Sequence, residues 1–296
     1  MPRTSTSQPR PAPTGNQAAE LAARLSHDVQ GALERGDLEL PPLRQSVVQV
    51  LELCNRQEFE VQEVVDVVHT DAALAGHLLR LANSAAFGAK QRIDSITEAV
   101  SRLGARQLQG IAAGMMLKAD LFKGSVRIGT RLRRMWQHSA LAGMYARDIG
   151  PMANLEPRAA MLIGLMHNVG APFVLRQVLD LETTTGTSID DQVVDAVVAA
   201  VHAPIGAALV RAWGLSDALA AAAEFHHDWS AAKEHIPAVL LAHVADQFAQ
   251  WAASPSAAGG QAILALPLWS ELNVPLEKIG GLFRAHESVK QMAQSL

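Results

Sequence analysis

Apolar residues recur along this chain at the spacing of helices rather than strands. Leu21, Leu25, Val29 and Leu33 stand four apart, which puts them on one face of a helix over 18–33 that Gly36 ends. Leu40-Pro41-Pro42-Leu43 is an extended entry, because a residue before proline is pushed out of the α region. Helices are predicted over 46–55, 61–68 and 71–81, the last capped by Asp71 and lined by Leu74, Leu78, Leu79 and Leu81. After a turn over 83–88, a helix starts at Ser95, where Glu98 completes a capping box, and stops at Leu103-Gly104. Another spans about 105–121.

The second half continues in the same style, with helices over 130–149, 157–168, 188–201, 204–213, 217–226 and 236–251. Ser188 with Asp191 reads as an N-terminal cap, and Pro157 and Pro204 suit a first turn, where a missing N–H costs little. A loop is expected over 254–260, then a last helix over about 276–294 interrupted by Gly280-Gly281. No fixed-period repeat marks a solenoid. Residues 1–16, rich in Pro, Ser and Thr, have almost nothing to bury and are expected to form a disordered tail.

Composition strengthens the all-α reading. Of 296 residues 49% are hydrophobic, yet 51 are alanine and only 13 aromatic. The best helix former therefore carries the apolar content, and sandwiches and barrels are poor candidates. The length suffices for one large or two modest domains. Cys54 is the only cysteine, so no intrachain disulfide forms, which fits a reducing cytosol. Arg3 and Arg10 precede no apolar stretch, so no secretory signal is read. The most apolar stretch, 193–225, is broken by Asp195, His202, Pro204, Arg211 and Asp217, which argues against a membrane span. A net charge of −4 is too mild to imply nucleic acid or membrane by bulk electrostatics. A soluble, cytoplasmic protein is expected.

Histidine carries the candidate chemistry. His138, His167, His202, His226 and His227, with Asp246, fall at the ends or inner faces of separate predicted helices. Singly, a histidine on an apolar helix face is most often a core residue satisfied by a hydrogen bond. Together, in the strings Trp136-Gln-His-Ser139, Gly164-Leu-Met-His-Asn-Val-Gly170, His202-Ala-Pro-Ile-Gly206, Phe225-His-His-Asp228 and Ala245-Asp246, they form an ordered set. That set resembles the HD superfamily of metal-dependent phosphohydrolases, whose HD-GYP branch has the order His, His-Asp, His, His-His, Asp. In the first half, Leu40-Pro-Pro-Leu43, the string Asp71 to Gly88 with its Asn83-Ser84-Ala85-Ala86-Phe87, and the string Ile93 to Gly104 are similar to the HDOD family, the HD-related output domain. The resemblance covers about 40–250. It implies a two-lobed helical bundle: after the tail, an N-terminal helical lobe over 17–125, an HD-like lobe over 126–250 and a C-terminal helical extension over 251–296.

One position departs from the HD pattern. Asn168 stands where the signature aspartate is expected. Hydrolysis at an HD-type site needs two metal ions a few Å apart, and an anionic bridge offsets their repulsion; a neutral amide does not. Ala171 stands where cyclic-dinucleotide hydrolases typically offer Lys, and no Gly-Tyr-Pro follows His226-His227, since the one tyrosine is Tyr145. No cofactor is therefore expected; the alternative is a single divalent transition metal, Fe, Mn or Zn, on His138, His167, Asn168, His202, His226, His227 and Asp246.

Arg127, Arg131 and Arg134 share a helix face and offer an anion or partner contact beside His138, against the blander reading of a solvated face. Gly110 and Gly114 suit close helix packing, Asn83 and Ser84 suit local bonds to backbone, and Cys54 is expected to be inert. The resemblance implies a bacterial signal-transduction output module that acts through other signalling proteins in trans, without phosphodiesterase activity. The alternatives are a metal-dependent phosphohydrolase of nucleotides or cyclic dinucleotides, and a non-catalytic nucleotide receptor.

Overall fold

Alternating apolar faces along the chain become packed helices, and among the described residues there is no strand. In the computed structural model these are residues 15–42, 45–55, 60–84, 91–104, 108, 111, 114, 118, 121–122, 126–186 and 188–296. The helices are α1 (Gly15–Arg35), α2 (Gln45–Asn55), α3 (Val61–His69), α4 (Ala72–Ala82), α5 (Ile96–Leu103), α6 (Val126–Ile149), α7 (Pro157–Met166), α8 (Gly170–Thr185), α9 (Asp191–Ala212), α10 (Asp217–Phe225), α11 (Ile236–Ala253), α12 (Ala257–Leu264), α13 (Leu268–Glu271), α14 (Leu276–Arg284) and α15 (His286–Ser295). Helices α2 to α5 pack on one another. Helix α6 is the spine of the second group, covered by α7, α11 and α15, while α9 lies against α8, α10 and α1. One continuous apolar core runs through both groups, from Val64 and Leu78 to Leu241 and Phe248.

Two polar ties join distant segments. Asn83 donates to the carbonyls of Leu79 (2.9 Å) and Ile93 (2.7 Å) and accepts from the Ile93 N–H (2.8 Å), so the local bond expected of it is made and extended across the turn, whereas the Ser84 hydroxyl, expected to do the same, finds no partner among the described residues. Trp213 donates its indole N–H to the Pro41 carbonyl at 2.7 Å, holding the extended entry against the end of α9. The C-terminal helices are tied in by aromatics. Tyr145 stacks on Phe248 and bonds His286 Nδ1 at 3.0 Å, and Trp251 meets Phe283 edge-on.

Close backbone approaches set the spacing around α7. A Cβ on Gly143 would lie 2.7 Å from Leu165 Cγ, and one on Gly164 would collide with the Ala142 carbonyl. At the start of α8, a Cβ on Gly170 would collide with the His202 carbonyl and lie 2.6 Å from the Gly206 nitrogen. Gly114 meets Trp136 and Leu165, in keeping with a packing role; Gly110, most of the predicted helix over 105–121 and the turn residues 85–88 lie outside the described residues, as does the side chain of Cys54.

Several expectations are corrected. Of the tail expected over 1–16, residues 1–14 lie outside the described residues, and Gly15 and Asn16 already belong to α1. Ser95 makes no side-chain cap; the capping box forms at Glu60 and Glu63, in front of α3. Asp190, not Ser188, caps α9 by accepting from the Gln192 N–H, and Asp71 caps α4 as expected. Helix α9 runs unbroken through Pro204, because burial of Val201, Ile205, Leu209 and Val210 outweighs the roughly 3 kcal/mol that an interior proline costs. Helix α8, whose Pro172 sits in the first turn, is an addition to the predicted set. Residues 257–264 form α12 rather than loop, with Ser256 accepting from the Gly259 N–H. The last helix continues through Gly280-Gly281 and breaks instead at Ala285.

The segments Ala159–Thr185 and Asp191–Ala212 are long and apolar enough to cross a bilayer, but the most apolar part of each is mostly buried inside the fold. Their apolarity is used in the core.

Two alanine substitutions should act in opposite directions. Gly164→Ala should cost about 2 kcal/mol or more, because the neighbour that must yield is backbone. Gly280→Ala, whose Cβ would meet only the end of Arg284 at 3.8 Å, should stabilise by about 1 kcal/mol. Urea denaturation of both variants checks this.

Candidate metal centre

Five helices deliver the sequence-predicted residues to one cleft. His138 comes from the middle of α6, His167 from the end of α7, His202 from the middle of α9, His226 and His227 from the end of α10, and Asp246 from the middle of α11. His138 Nε2 lies 2.9 Å from Asp246 Oδ1 and 3.2 Å from His167 Nε2, and His167 Nε2 lies 3.4 Å from the same carboxylate oxygen. His202 Nε2 lies 3.4 Å from His226 Nε2 and 3.2 Å from His227 Nε2. The donors thus form two groups, His138-His167-Asp246 and His202-His226-His227, each compact enough to hold one ion. The rings of His167 and His226, 5.1 Å apart, join them. Asn168 lines the same cleft, a cavity of about 350 Å³.

Hydrogen bonds on the far side of each ring decide what the near side can do. His167 Nδ1 faces the Gly164 carbonyl at 2.7 Å, His202 Nδ1 the Val198 carbonyl at 2.8 Å and His226 Nδ1 the Ala223 carbonyl at 2.9 Å. A carbonyl only accepts, so each Nδ1 carries the hydrogen, and in the neutral ring each Nε2 is a bare lone pair. His202 and His226 therefore turn two lone pairs toward each other with no hydrogen between them. Such a pair is repulsive alone and attractive around a cation. Fixing the tautomer through Nδ1 is the outer-shell arrangement that metal-binding histidines use. The donor set fits a divalent metal that accepts nitrogen and oxygen.

Electrostatics agrees with that reading. Burial pushes His202 down to about 4 and His226 down to about 2, with neighbouring imidazoles adding to the effect, and burial also lowers His227. Burial of Asp246 opposes its charge, but a hydrogen bond from His138 and the nearness of the His167 ring hold the carboxyl well below the usual carboxylate range. Burial thus favours the neutral ring at His202, His226 and His227, while Asp246 is held ionised.

Two contributors escaped the sequence reading. Gln250 donates to Asp246 Oδ2 at 2.7 Å and orients the carboxylate, and His243 Nδ1 bonds the His226 carbonyl at 2.8 Å, bracing the turn after α10. Both flank Asp246 on α11 at three- and four-residue spacing, the signal that could have found them. The basic face divides. Arg131 pairs with Asp191 at 3.3 Å and Asp195 at 2.8 Å, so it clamps α6 to α9. Arg134 lines the cleft beside His138, and the side chain of Arg127 lies outside the described residues.

An all-α fold carrying a cleft of five histidines and an aspartate defines an HD-type helical protein. A match to the HDOD domain spans residues 40–229, and the chain belongs to the HDOD family. An uncharacterised protein of Treponema pallidum (strain Nichols) is 26% identical over 240 residues, 76% of this chain and 43% of that protein, so the chain spans less than half of that relative. Among solved structures, one from Shewanella amazonensis SB2B, whose name proposes a metal-dependent phosphohydrolase, superposes with a TM-score of 0.72 at 20% identity, covering 93% of this chain and 99% of that one. An HDOD domain protein with unknown function from Geobacter sulfurreducens gives 0.70 at 22% identity, covering 93% and 98%. A Marinobacter aquaeolei VT8 protein, whose name proposes signal transduction, gives 0.65 at 24% identity, covering 94% and 68%. These likenesses establish the shared fold.

The depressed histidines make stability pH-dependent in a defined direction. The unfolded chain takes up protons below about 6.5 while folded His202 and His226 do not, so stability falls as pH drops from about 6.5 to about 4, by roughly 1 kcal/mol per pH unit for each group. Urea midpoints measured in EDTA across that range should decline steadily, and a flat profile would contradict the buried neutral state.

Proposed function

We propose that this protein is a signal-transduction output module, cytoplasmic and acting on other signalling proteins in trans, whose HD-type cleft holds a single divalent transition metal and does not hydrolyse phosphodiesters. The observation that carries this reading is the pair of lone-pair-bearing imidazoles, His202 and His226, facing each other at 3.4 Å in a cleft where Asn168 replaces the carboxylate. Binuclear hydrolysis needs an anionic bridge between like charges, and a neutral amide leaves that repulsion in place. The names of the Shewanella and Marinobacter proteins support an HD-like and a signalling role, respectively.

When bound, the metal supplies a Lewis-acid point that an oxyanion can meet. An ion in the His202-His226-His227 group would be met by rings fixed through carbonyls, and one in the His138-His167-Asp246 group by a carboxylate that Gln250 orients. A phosphohydrolase reading is kept alive by the second donor group, which a second ion would need.

Elemental analysis of untagged protein separates the two. About one equivalent of Fe, Mn or Zn is expected, falling below about 0.1 in His167→Ala, with no hydrolysis of nucleotides or cyclic dinucleotides. Asn168→Asp should raise the content toward two equivalents. Robust turnover by the natural sequence that vanishes in His167→Ala would overturn the non-catalytic reading.

A further inference from the structure

A second cavity of about 350 Å³ adjoins the metal cleft and shares Arg134 and His138 with it. It lies between α6, α11 and α15. Its wall is apolar and shallow in relief, built from Leu141 and a row of alanines on α11 and α15 that includes Ala253 and Ala293. Its rim is polar, with the amides of Gln137 and Gln294 and the cations of Arg134 and Lys290, and among the described residues no acidic side chain lines it. Neither cation has an ion pair or hydrogen bond among the described residues, whereas Arg131, Arg147 and Arg211 are all paired with carboxylates. Most of the lining, from Ala249 onward, lies beyond the segment that matches the HDOD domain.

The geometry points to a binding site for a nucleoside monophosphate, built by the C-terminal helix against the metal-bearing lobe. A flat heteroaromatic base matches the alanine wall, where small side chains leave room for a ring. Two side-chain amides offer both donors and acceptors for its edge. A phosphate, dianionic near neutral pH, matches two unpaired cations, and Arg134 sits where that phosphate can reach the metal cleft. The volume stands at the lower end of the range for small-molecule pockets, which suits a mononucleotide. The inference rests on a cleft that retains its ligand rather than consuming it, and it assigns the C-terminal extension the task of choosing that ligand.

Calorimetry on the full metal-loaded chain tests it with GMP, AMP, guanosine and orthophosphate. The two nucleotides are expected to bind, with guanosine and orthophosphate each weaker by about tenfold or more. Lys290→Glu and Ala253→Phe, both at exposed positions, should weaken GMP binding by about tenfold or more at unchanged metal content and melting temperature. No heat with either nucleotide, orthophosphate binding as tightly as GMP, or nucleotide binding unaffected by both variants would overturn the assignment. Chromatography of the titrated sample keeps the two readings apart. Consumption of GMP retires the non-hydrolytic reading alone, while the assignment stands or falls on the Lys290 and Ala253 variants.

Discussion

The cleft depends on how closely backbones approach at two glycines. Gly164 and Gly170 bracket His167-Asn168, and each abuts a neighbouring main chain with no room for a Cβ: Gly164 against Ala142 of α6, Gly170 against His202 of α9. Each contact is also chemical. The Gly164 carbonyl accepts from His167 Nδ1, so the residue that lets α7 approach α6 also fixes which nitrogen of His167 faces His138. The Gly170 contact presses the start of α8 onto the turn of α9 that bears His202, and so sets the distance between the two donor groups. Interior packing does not yield continuously, so spacing fixed by backbone contact passes to the side chains with little slack.

This arrangement explains why α9 keeps a proline in its interior. A break at Pro204 would displace His202 from His226, and the helix is kept continuous by burial on both sides of the proline. The same burial makes the imidazoles poor bases. Desolvation keeps them neutral, which destabilises the empty cleft on acidification and leaves donors that a metal need not strip of protons.

Much of this was legible in the sequence, for reasons that differ by residue. The order of the histidines and Asp246 marked the donors through its resemblance to the HD pattern, whereas each residue taken singly reads as an ordinary core position. Leu21 to Leu33 and Leu74 to Leu81 gave helices because one face is apolar and the other wet. What escaped was whatever tertiary packing overrides. Pro204 and Gly280-Gly281 are local breakers that buried neighbours overrule, and α8 hides behind Pro172 although Phe173, Val174 and Val178 fill its buried face. Gln250 was missed although it stands four residues from Asp246 on one helix face, because a glutamine at that spacing reads equally well as a solvated side chain. The division of the basic face was hidden too, since Arg131 finds Asp195 across 64 residues of sequence.

Charge accounting joins the cleft to the cavity beside it. The donor set holds one carboxylate, Asp246, among five imidazoles, and Asn168 adds no charge. One dication leaves this buried region with a net positive charge, and a second would leave it far more so at separations where unscreened repulsion is large. An aspartate at 168 would relieve that excess from within the protein; the amide passes the need to whatever enters the cleft. Arg134 sharpens that need, since it adds an unpaired cation at the mouth where the two cavities meet. An amide in place of a carboxylate thus weakens the case for a bridged metal pair and strengthens the case for an anionic ligand.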